Sequence, residues 1–444
     1  MKKIFFLYFL LAFYVCYSQP NPSSFVSWES RVRYNLSILD KQGTFMEQLT
    51  ISSDGVFLYA TPGDKQRNRP EIHIFPEEIE AFLAMAEQLP RNTLLQMYQG
   101  KKTRKWESSL LNEYERSTWK SSRALTTTPL SGMRVAIDPG HIGGSMEEAE
   151  LEGKYVKVRP TNSRPGVAFW EANLNLTTAF LIKKELEKLG AEVMMTREKP
   201  GQSAIGPLYK DWRKNYFLKA VDQEVRAGRM SQQKAKFWRT QATENDIFRR
   251  FFNILDLRMR ATKINAFRPH ATLIIHYNVD KDNWDNRDRE GYFKPGYANY
   301  SMAFVPGSMG LGDLRTLEGR INFLRLLLGY SIPESIRLSS LYLDANTYYT
   351  HVPIVQRGKE PDYLPEFCLP TSKPGVYARN LALTRLVKSP LCYGESLCQD
   401  NWRELLWLEK RGMEVEGIPT STRVQLVAAA YIKAVKQFAG VEDR

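Results

Sequence analysis

A chain of 444 residues is too long for one typical domain, and 43% hydrophobic, 12% aromatic and 25% charged residues describe a globular protein and exclude wholesale disorder. The formal net charge of +13 favours an anionic partner through long-range attraction. No basic block is dense enough to indicate a nucleic-acid-binding motif, so nucleic acid is not the expected partner.

The N-terminus has the pattern of an export signal. Lys2 and Lys3 give it a positive start, and a continuous apolar run follows from Ile4 to Val15. That run is about as long as the core of a signal peptide and shorter than the roughly 20 apolar residues of a membrane span. We expect residues 1–18 to be a signal peptide that is cleaved after Ser18. An uncleaved anchor is the alternative, and lipid attachment at Cys16 is disfavoured because no small residues precede it.

Export narrows the choice of partner for a basic chain. No other apolar stretch is long enough to cross a membrane, so no stable span is expected after signal cleavage. Acidic lipid and a carboxylate-bearing cell wall are both anionic, and an exported protein meets the wall. We therefore expect a secreted protein, periplasmic or extracellular, that acts at the wall.

The cysteines are not expected to bind metal. Three remain after signal cleavage: Cys368, Cys392 and Cys398. Their number is odd and their spacing matches no zinc-finger pattern, so we interpret them as structural or free thiols.

Residues 19–128 are predicted to form a small α+β accessory unit ending in a linker. Segments 25–38 and 45–59 have the pattern of short strands, with a turn at Ser53–Gly55. Segment 76–89 opens with Pro-Glu-Glu and is predicted to be helical. The polar stretch 101–129 is interpreted as a linker, and this unit offers no candidate for catalysis.

Residues 129–440 have the pattern of an α/β domain. Predicted strands alternate with predicted helices: strands at 133–137, 191–195, 271–275 and 301–305, and helices at 171–189, 257–267 and 422–438. Such alternation indicates a mainly parallel central sheet flanked by helices, with a ligand site beyond the carboxyl ends of its strands. Two insertions interrupt it. Residues 199–245 are rich in Lys, Arg, Gln and Trp and are expected to be partly helical, and residues 308–375, rich in Pro, Tyr and Gly, are expected to be irregular and able to cover the site.

Two histidines and a glutamate stand where a metal site is expected. The chain has five histidines: His73, His141, His270, His276 and His351. His141 and His276 each follow a predicted strand, and Glu171 opens a predicted helix. Hydrolytic zinc needs three such ligands and one position for water. Spacing alone leaves open that these histidines only form hydrogen bonds; the other three are expected to be structural, with His351 a weak candidate for substrate contact.

Four segments, in order, resemble the motifs of the zinc-dependent N-acetylmuramoyl-L-alanine amidases of the amidase_3 type. They are MRVAIDPGHIGG (133–144), EANLNL (171–176) with LEKLGAEVMMTR (186–197), LRMRATKINAF (257–267) with ATLIIHYN (271–278), and PLCYGESLCQDN (390–401). Each is short, but they follow one another in the order of the family, and the resemblance extends over about residues 132–438. The fold that the resemblance implies is the amidase_3-like sheet.

The resemblance also implies a function for individual residues. His141, Glu171 and His276 would hold one Zn²⁺, and Glu395 would be the catalytic acid–base group. Other side chains in the matched segments would orient substrate or support the site: Arg258, Arg260 and Asn278. The implied reaction is hydrolysis of the amide between N-acetylmuramic acid and L-alanine in peptidoglycan, for cell-wall remodelling or cell separation.

Departures from the family pattern leave alternatives open. Ile142 separates His141 from its glycine pair, Tyr277 replaces a small residue, and Tyr393 lies close to Glu395. The alternatives are another zinc peptidase acting on wall peptides, and a non-catalytic wall-binding protein with the same fold. Some amidases of this type also carry a helix that blocks the metal until an activator protein displaces it, and either insertion could serve that purpose.

Overall fold

The computed structural model describes residues 27–89, 94–95, 128–162, 165–280 and 287–441. The signal peptide predicted for residues 1–18 and most of the linker predicted for residues 101–129 lie outside these ranges. Among the helices within them, none combines the length and the apolar character that crossing a membrane requires.

The described residues form strands and helices that alternate along most of the chain. The strands are β1 (Leu49–Ser52), β2 (Gly55–Leu58), β3 (Ile72–Ile74), β4 (Arg134–Pro139), β5 (Tyr155–Val158), β6 (Val167–Trp170), β7 (Glu192–Met195), β8 (Ala271–Asn278), β9 (Met302–Val305), β10 (Cys368–Pro370), β11 (Val376–Arg379), β12 (Leu391–Cys398), β13 (Met413–Val415) and β14 (Ile418–Thr420). The α-helices of five residues or more are α1 (Trp28–Leu39), α2 (Pro62–Gln66), α3 (Ile79–Gln88), α4 (Met146–Glu152), α5 (Glu171–Lys188), α6 (Tyr209–Asn215), α7 (Phe217–Arg226), α8 (Gln232–Thr240), α9 (Asn253–Phe267), α10 (Leu317–Leu328), α11 (Ser331–Thr350), α12 (Tyr363–Phe367), α13 (Ala382–Leu386), α14 (Trp402–Leu408) and α15 (Arg423–Phe438). A π-helical turn, Ile247–Phe252, leads directly into α9.

A seven-stranded sheet in the order β10-β11-β9-β12-β8-β4-β7 is the centre of the fold. The pairs β11–β9, β12–β8, β8–β4 and β4–β7 are parallel, whereas β12–β9 and β10–β11 are antiparallel. The prediction of a mainly parallel central sheet is therefore confirmed, with antiparallel pairing confined to the β9 side. Parallel strands align their carboxyl ends, so the residues that follow β4 and β8 lie on the same edge of the sheet.

Helices cover both faces of this sheet. Side chains alternate along its strands, so each strand presents apolar residues to both faces. Val135 and Leu273 belong to the large core that contains the apolar face of α5, and Ala136 and Ile274 belong to a smaller core that contains Ile264 of α9. Every residue of β8 is buried. The prediction that helices flank the sheet is confirmed.

The segment 308–375 is not irregular, which corrects the expectation from its composition. Two buried helices, α10 and α11, occupy its first part, and α11 packs against β12 and α15. Pro333 lies in the first turn of α11, where no helical hydrogen bond needs its missing N–H. The proline therefore marks the start of a helix, which the Pro, Tyr and Gly content of the segment does not indicate.

The accessory unit begins with a helix, so the strand predicted for residues 25–38 is wrong. Ser27 and Ser30 form a capping box, in which each side chain accepts from the other's backbone N–H. Val32, Asn35 and Leu39 recur at helical spacing and are buried. The predicted strand pair with its turn and the predicted helix at 76–89 correspond to β1, β2 and α3, and β3 completes a three-stranded antiparallel sheet.

Helices α6, α7 and α8 lie within the segment 199–245 and have an apolar core of their own. That core, called the insertion core below, contains Ile142, Tyr209, Trp212, Phe217, Ala220, Val221, Ala235, Trp238, Ile247, Phe248, Phe251 and Phe252. Ile142 follows His141 directly, so these helices pack beside the predicted metal ligands.

Candidate metal centre

Three predicted ligands meet at the carboxyl edge of the central sheet. His141 follows β4, and Glu171 is the first residue of α5, where the N-terminal helix dipole favours a carboxylate. His276 was expected just past a strand that ends at residue 275, but β8 continues to Asn278, so His276 projects from the strand itself. The extra strand residues pair with β12, which holds His276 more firmly than a loop would.

The donor atoms of these side chains face a common point. Nε2 of His141 lies 3.2 Å from Oε1 of Glu171, and Nδ1 of His276 lies 3.0 Å from the same oxygen. One ligand atom from each residue lies within 4.8 Å of the others. Two imidazole nitrogens and one carboxylate oxygen suit a divalent transition metal and leave a coordination position open. The three residues could therefore hold a metal ion.

The backbone around His141 is adapted to this close approach. A Cβ atom added to Gly140 would lie 2.3 Å from Cε1 of His276, so only glycine fits there. His141 has φ of 61°, in the left-handed region that side chains other than glycine seldom adopt. Backbone strain of this kind is concentrated at functional sites. Nδ2 of Asn175 donates to the Gly140 carbonyl at 3.0 Å and fixes the turn.

Glu152 contacts Nδ1 of His141, the ring nitrogen that faces away from the cluster. The sequence did not identify this residue. Oε1 of Glu152 lies 3.0 Å from Nδ1 of His141, and Oε2 accepts from the backbone N–H groups of Ile142 and Gly143 at 3.1 and 3.2 Å. Helix α4 contains four glutamates, and the sequence singles out Glu152 only by its spacing of three residues from Ala149; in the structure these two residues form the buried face of the helix. Such outer carboxylates orient metal-binding imidazoles.

Glu171 is also held by groups beyond the ligand set. Its Oε2 accepts from Nε2 of Gln399 at 3.1 Å, and its Oε1 accepts from the backbone N–H of Tyr277 at 3.1 Å. Gln399 was missed as well, although it lies inside the fourth matched segment. The hydroxyl of Tyr277 pairs with Thr178 at 2.8 Å on the opposite face of the sheet. Tyr277 therefore contributes its backbone to the site and its ring to the core.

The charges within the cluster shift the pKa values of its members. Burial disfavours the charged form of His141, but the carboxylates of Glu171 and Glu152 outweigh it and raise the His141 pKa to about 9. Burial and the neighbouring His141 lower the pKa of His276 to about 4, although Glu171 opposes this shift. The pKa of Glu171 lies well below its usual value because the two histidines outweigh the effect of burial. Near neutral pH the cluster thus combines an ionised Glu171 and a neutral His276 with a protonated His141, so metal binding would release the proton of His141.

Glu395 lies next to this cluster on the adjacent strand. It is paired with His276 in the register of β12 and β8, and its side chain is partly exposed. Burial and the charge of Glu171 raise its pKa to about 7, while the charges of Lys154 and Arg379 oppose the shift. A carboxylate with a pKa near neutrality can both accept and donate a proton.

The three other predicted residues occupy different environments. Arg260 is buried and donates to Asp138 at 3.2 Å and to the carbonyl of His141 at 3.0 Å, so it braces the loop that carries the first ligand. Arg258 is exposed and pairs with Glu224 of α7 at 3.2 Å. Asn278 is buried two residues beyond His276, and its Nδ2 has no hydrogen-bond acceptor among the described residues.

The remaining histidines and cysteines lie outside the cluster. His73 stacks between Phe57 and Phe75, His270 accepts the Arg134 N–H at 2.9 Å, and His351 caps the C-terminus of α11. The three described cysteines are free and buried: Cys368, Cys392 and Cys398.

Comparisons with known proteins give structural similarities only. No family model matches the chain, and no curated protein matches it. Among solved structures, the chain is similar to the CwlD amidase of Clostridioides difficile in complex with the GerS lipoprotein, at 12% identity and a TM-score of 0.36 over 70% of this chain and 100% of that one. It is similar to the N-acetylmuramyl-L-alanine amidase Ami1 of Mycobacterium smegmatis, at 14% identity and 0.37 over 70% and 99% of the two chains. It is also similar to the catalytic domain of the N-acetylmuramoyl-L-alanine amidase CwlV of Bacillus (Paenibacillus) polymyxa. That similarity has 12% identity and a TM-score of 0.34, over 70% of this chain and 99% of that one. The side chains of the site, rather than these similarities, carry the functional conclusion.

Proposed function

We propose that this chain is an exported, zinc-dependent N-acetylmuramoyl-L-alanine amidase acting on peptidoglycan. One observation carries the proposal: His141, Glu171 and His276 converge on one point, and Glu395 stands beside them on the neighbouring strand. The choice of this amide over other bonds of the wall rests on the four matched sequence segments. The net charge of +13 and the apolar run at residues 4–15 support a place at the anionic wall, periplasmic or extracellular.

The domain organisation belongs to the same proposal. Residues 19–128 form an accessory unit and linker, and residues 129–440 carry the catalysis. The segments 199–245 and 308–375 would be insertions into the amidase fold, and the packing of the first against Ile142 supports a role close to the metal ligands.

The reaction divides between the ligands and Glu395. His141, Glu171 and His276 would hold a zinc ion, which would supply Lewis acidity at the scissile carbonyl and make a water molecule more acidic. Glu395 accepts the proton of the attacking water as the carbon–oxygen bond forms. It then donates that proton to the amine nitrogen as the carbon–nitrogen bond breaks. The products are the lactyl carboxylate of the sugar and a stem peptide with a free L-alanine amine.

Digestion of sacculi by wild type and Glu395→Gln tests the proposal. We expect wild type to bind about one zinc per chain and to release intact stem peptides with a new L-alanine amine, in a reaction that a chelator stops and added zinc restores. Glu395→Gln should keep the zinc and lose about 10²–10⁴-fold in kcat, because the amide cannot accept the proton. Product masses and metal analysis are the measurements.

Glu192→Gln is the matched control, because Glu192 is exposed on β7, at the far edge of the sheet. It should retain wild-type turnover. Cleavage within the stem peptide would identify a different zinc peptidase. Full activity in Glu395→Gln would remove Glu395 from the mechanism, and sacculi left intact by a zinc-loaded chain would favour a wall-binding protein.

A further inference from the structure

A row of aromatic rings leads from the metal centre across the sheet. The ring of Tyr393 stacks on His276 with centroids 4.5 Å apart and planes inclined by 2°. Phe304 meets Tyr393 edge-on at 5.8 Å. The guanidinium of Arg379 lies 4.8 Å from the centre of the Phe304 ring and 5.1 Å from that of Tyr363. An arginine is thereby fixed at the end of a row that begins at a metal ligand.

Strand register places this row on the same face of the sheet as Glu395. Tyr393 of β12 pairs with Phe304 of β9, which pairs with Tyr377 of β11. Side chains two residues apart on a strand share a face, so Glu395 lies on the face of Tyr393, and Arg379 lies on the face of Tyr377. The Arg379 charge is among those that lower the pKa values of Glu395 and Tyr393. Because β9 and β11 run antiparallel to β12, the backbone of Arg379 lies beyond Tyr377 in the direction away from Glu395, and its side chain extends over Phe304, near enough for its charge to act on Glu395.

The guanidinium of Arg379 is held in place but not neutralised. Its side chain is partly exposed, and within the described part of the chain it makes neither a hydrogen bond nor an ion pair. Arg260, by contrast, is buried and donates to Asp138 and Asp256. Stacking on two rings restricts the Arg379 side chain and leaves its N–H donors to a ligand. A planar fork of this kind matches a carboxylate, which it binds through two parallel hydrogen bonds.

We infer that Arg379 anchors a free carboxylate of the stem peptide while the scissile amide lies at the metal centre. The inference rests on the proposed function, and it assigns the recognition of a substrate group away from the scissile amide, the stem-peptide carboxylate, to Arg379. The successive steps of the row from His276 to the Arg379 guanidinium are 4.5, 5.8 and 4.8 Å. An extended peptide advances about 3.3–3.6 Å per residue, so a carboxylate within the first few residues of the leaving peptide can span that distance. The anchor also places a positive charge where the stem peptide is negative.

Two synthetic muropeptides test the inference, one with free stem-peptide carboxylates and one with those groups amidated. We expect wild type to prefer the free form. In Arg379→Met the KM for the free form should rise about 10–100-fold with little change in kcat, because the lost interaction stabilises the bound substrate and the transition state equally. The preference for the free form over the amidated form should fall at least tenfold. Arg379→Lys should restore part of it, since it keeps the charge without the fork.

Arg226→Met is the matched control, because Arg226 is exposed at the end of α7. It should keep the wild-type preference. The inference is overturned if Arg379→Met loses kcat/KM equally on both muropeptides, or if its preference stays within twofold of wild type. A wild-type chain that releases no L-alanine amine from either muropeptide refutes the proposed function instead, so the two failures are distinguishable.

Discussion

At the scale of single residues, Glu152 determines which nitrogen of His141 can bind metal. Its Oε1 lies 3.0 Å from Nδ1 of His141, and its other oxygen accepts two backbone N–H groups. A carboxylate cannot donate, so Nδ1 carries a hydrogen and Nε2 is the nitrogen directed at the site. Because the neighbouring carboxylates raise the His141 pKa to about 9, Nε2 must release its proton before it can bind a metal. The pKa of Glu152 is lowered to about 2, because His141 and the backbone donors outweigh the effect of burial. The carboxylate thus stays ionised and holds the hydrogen on Nδ1, so that Nε2 is the nitrogen that loses its proton when a metal binds.

Glu152→Gln is expected to weaken zinc binding about 10–100-fold, because the amide can present its NH₂ group to Nδ1 and favour the wrong tautomer. Competition with a chromogenic chelator measures this affinity. Glu150→Gln is the matched control from the same helix, since Glu150 is exposed and pairs with Lys157. A zinc affinity of Glu152→Gln within twofold of wild type would show that the contact does not orient the ligand.

At the scale of elements, the insertion core explains why isoleucine follows His141. Ile142 is 1% exposed and packs among the aromatic side chains of α6, α7, α8 and the π-helical turn. Glycine, which the family pattern favours there, would leave a cavity at this point. Ile142 and the helices of segment 199–245 therefore belong to one packing arrangement beside the predicted metal ligands.

Ile142→Ala is expected to lower the free energy of unfolding by about 2–5 kcal/mol and to weaken zinc binding, since the cavity opens next to His141. Urea unfolding of the metal-free chain gives the first quantity, and chelator competition gives the second. Ile254→Ala is the control, because Ile254 is 45% exposed and its truncation should cost less than about 0.5 kcal/mol. Unchanged zinc affinity in Ile142→Ala would mean that the insertion core does not support the ligand loop.

The elements that could be predicted from sequence are those with local signals. Strands β4 and β8 are apolar runs, and α5 is amphipathic with Gly190 just after it, so their patterns identify them. Helix α1 was mistaken for a strand because a serine capping box is a weak signal, and α11 was concealed by the composition around Pro333. The contact between Glu152 and His141 could not be predicted, because it depends on how the chain between them turns and not on spacing.

At the scale of the whole molecule, the N-terminal residues 27–89, the described part of the predicted accessory unit, are packed on the region that contains the predicted metal ligands. Nδ2 of Asn35 in α1 donates to the carbonyls of Leu326, Leu327 and Gly329 at 3.1, 2.9 and 2.9 Å, at the C-terminus of α10. Carbonyls at a helix end have no partner within the helix, so the neighbouring helix supplies it. Apolar residues of α1 and α3 share one continuous core with those of α10 and the central sheet. Residues 27–89 are thus coupled to the fold that contains the predicted metal ligands.

Asn35→Ala tests this coupling, because it leaves buried carbonyls at the end of α10 without their donor. We expect the free energy of unfolding to fall by about 1–3 kcal/mol, the cost of buried groups that lose their hydrogen bonds. Asn215→Ala, at an exposed end of α6, should change it by less than about 0.5 kcal/mol. Unfolding followed by far-ultraviolet circular dichroism and by zinc release should give one coincident transition in wild type and in Asn35→Ala, because a shared core unfolds cooperatively. If zinc were released in a separate, later transition, the accessory unit would unfold on its own, and its contact with α10 would not stabilise the catalytic region.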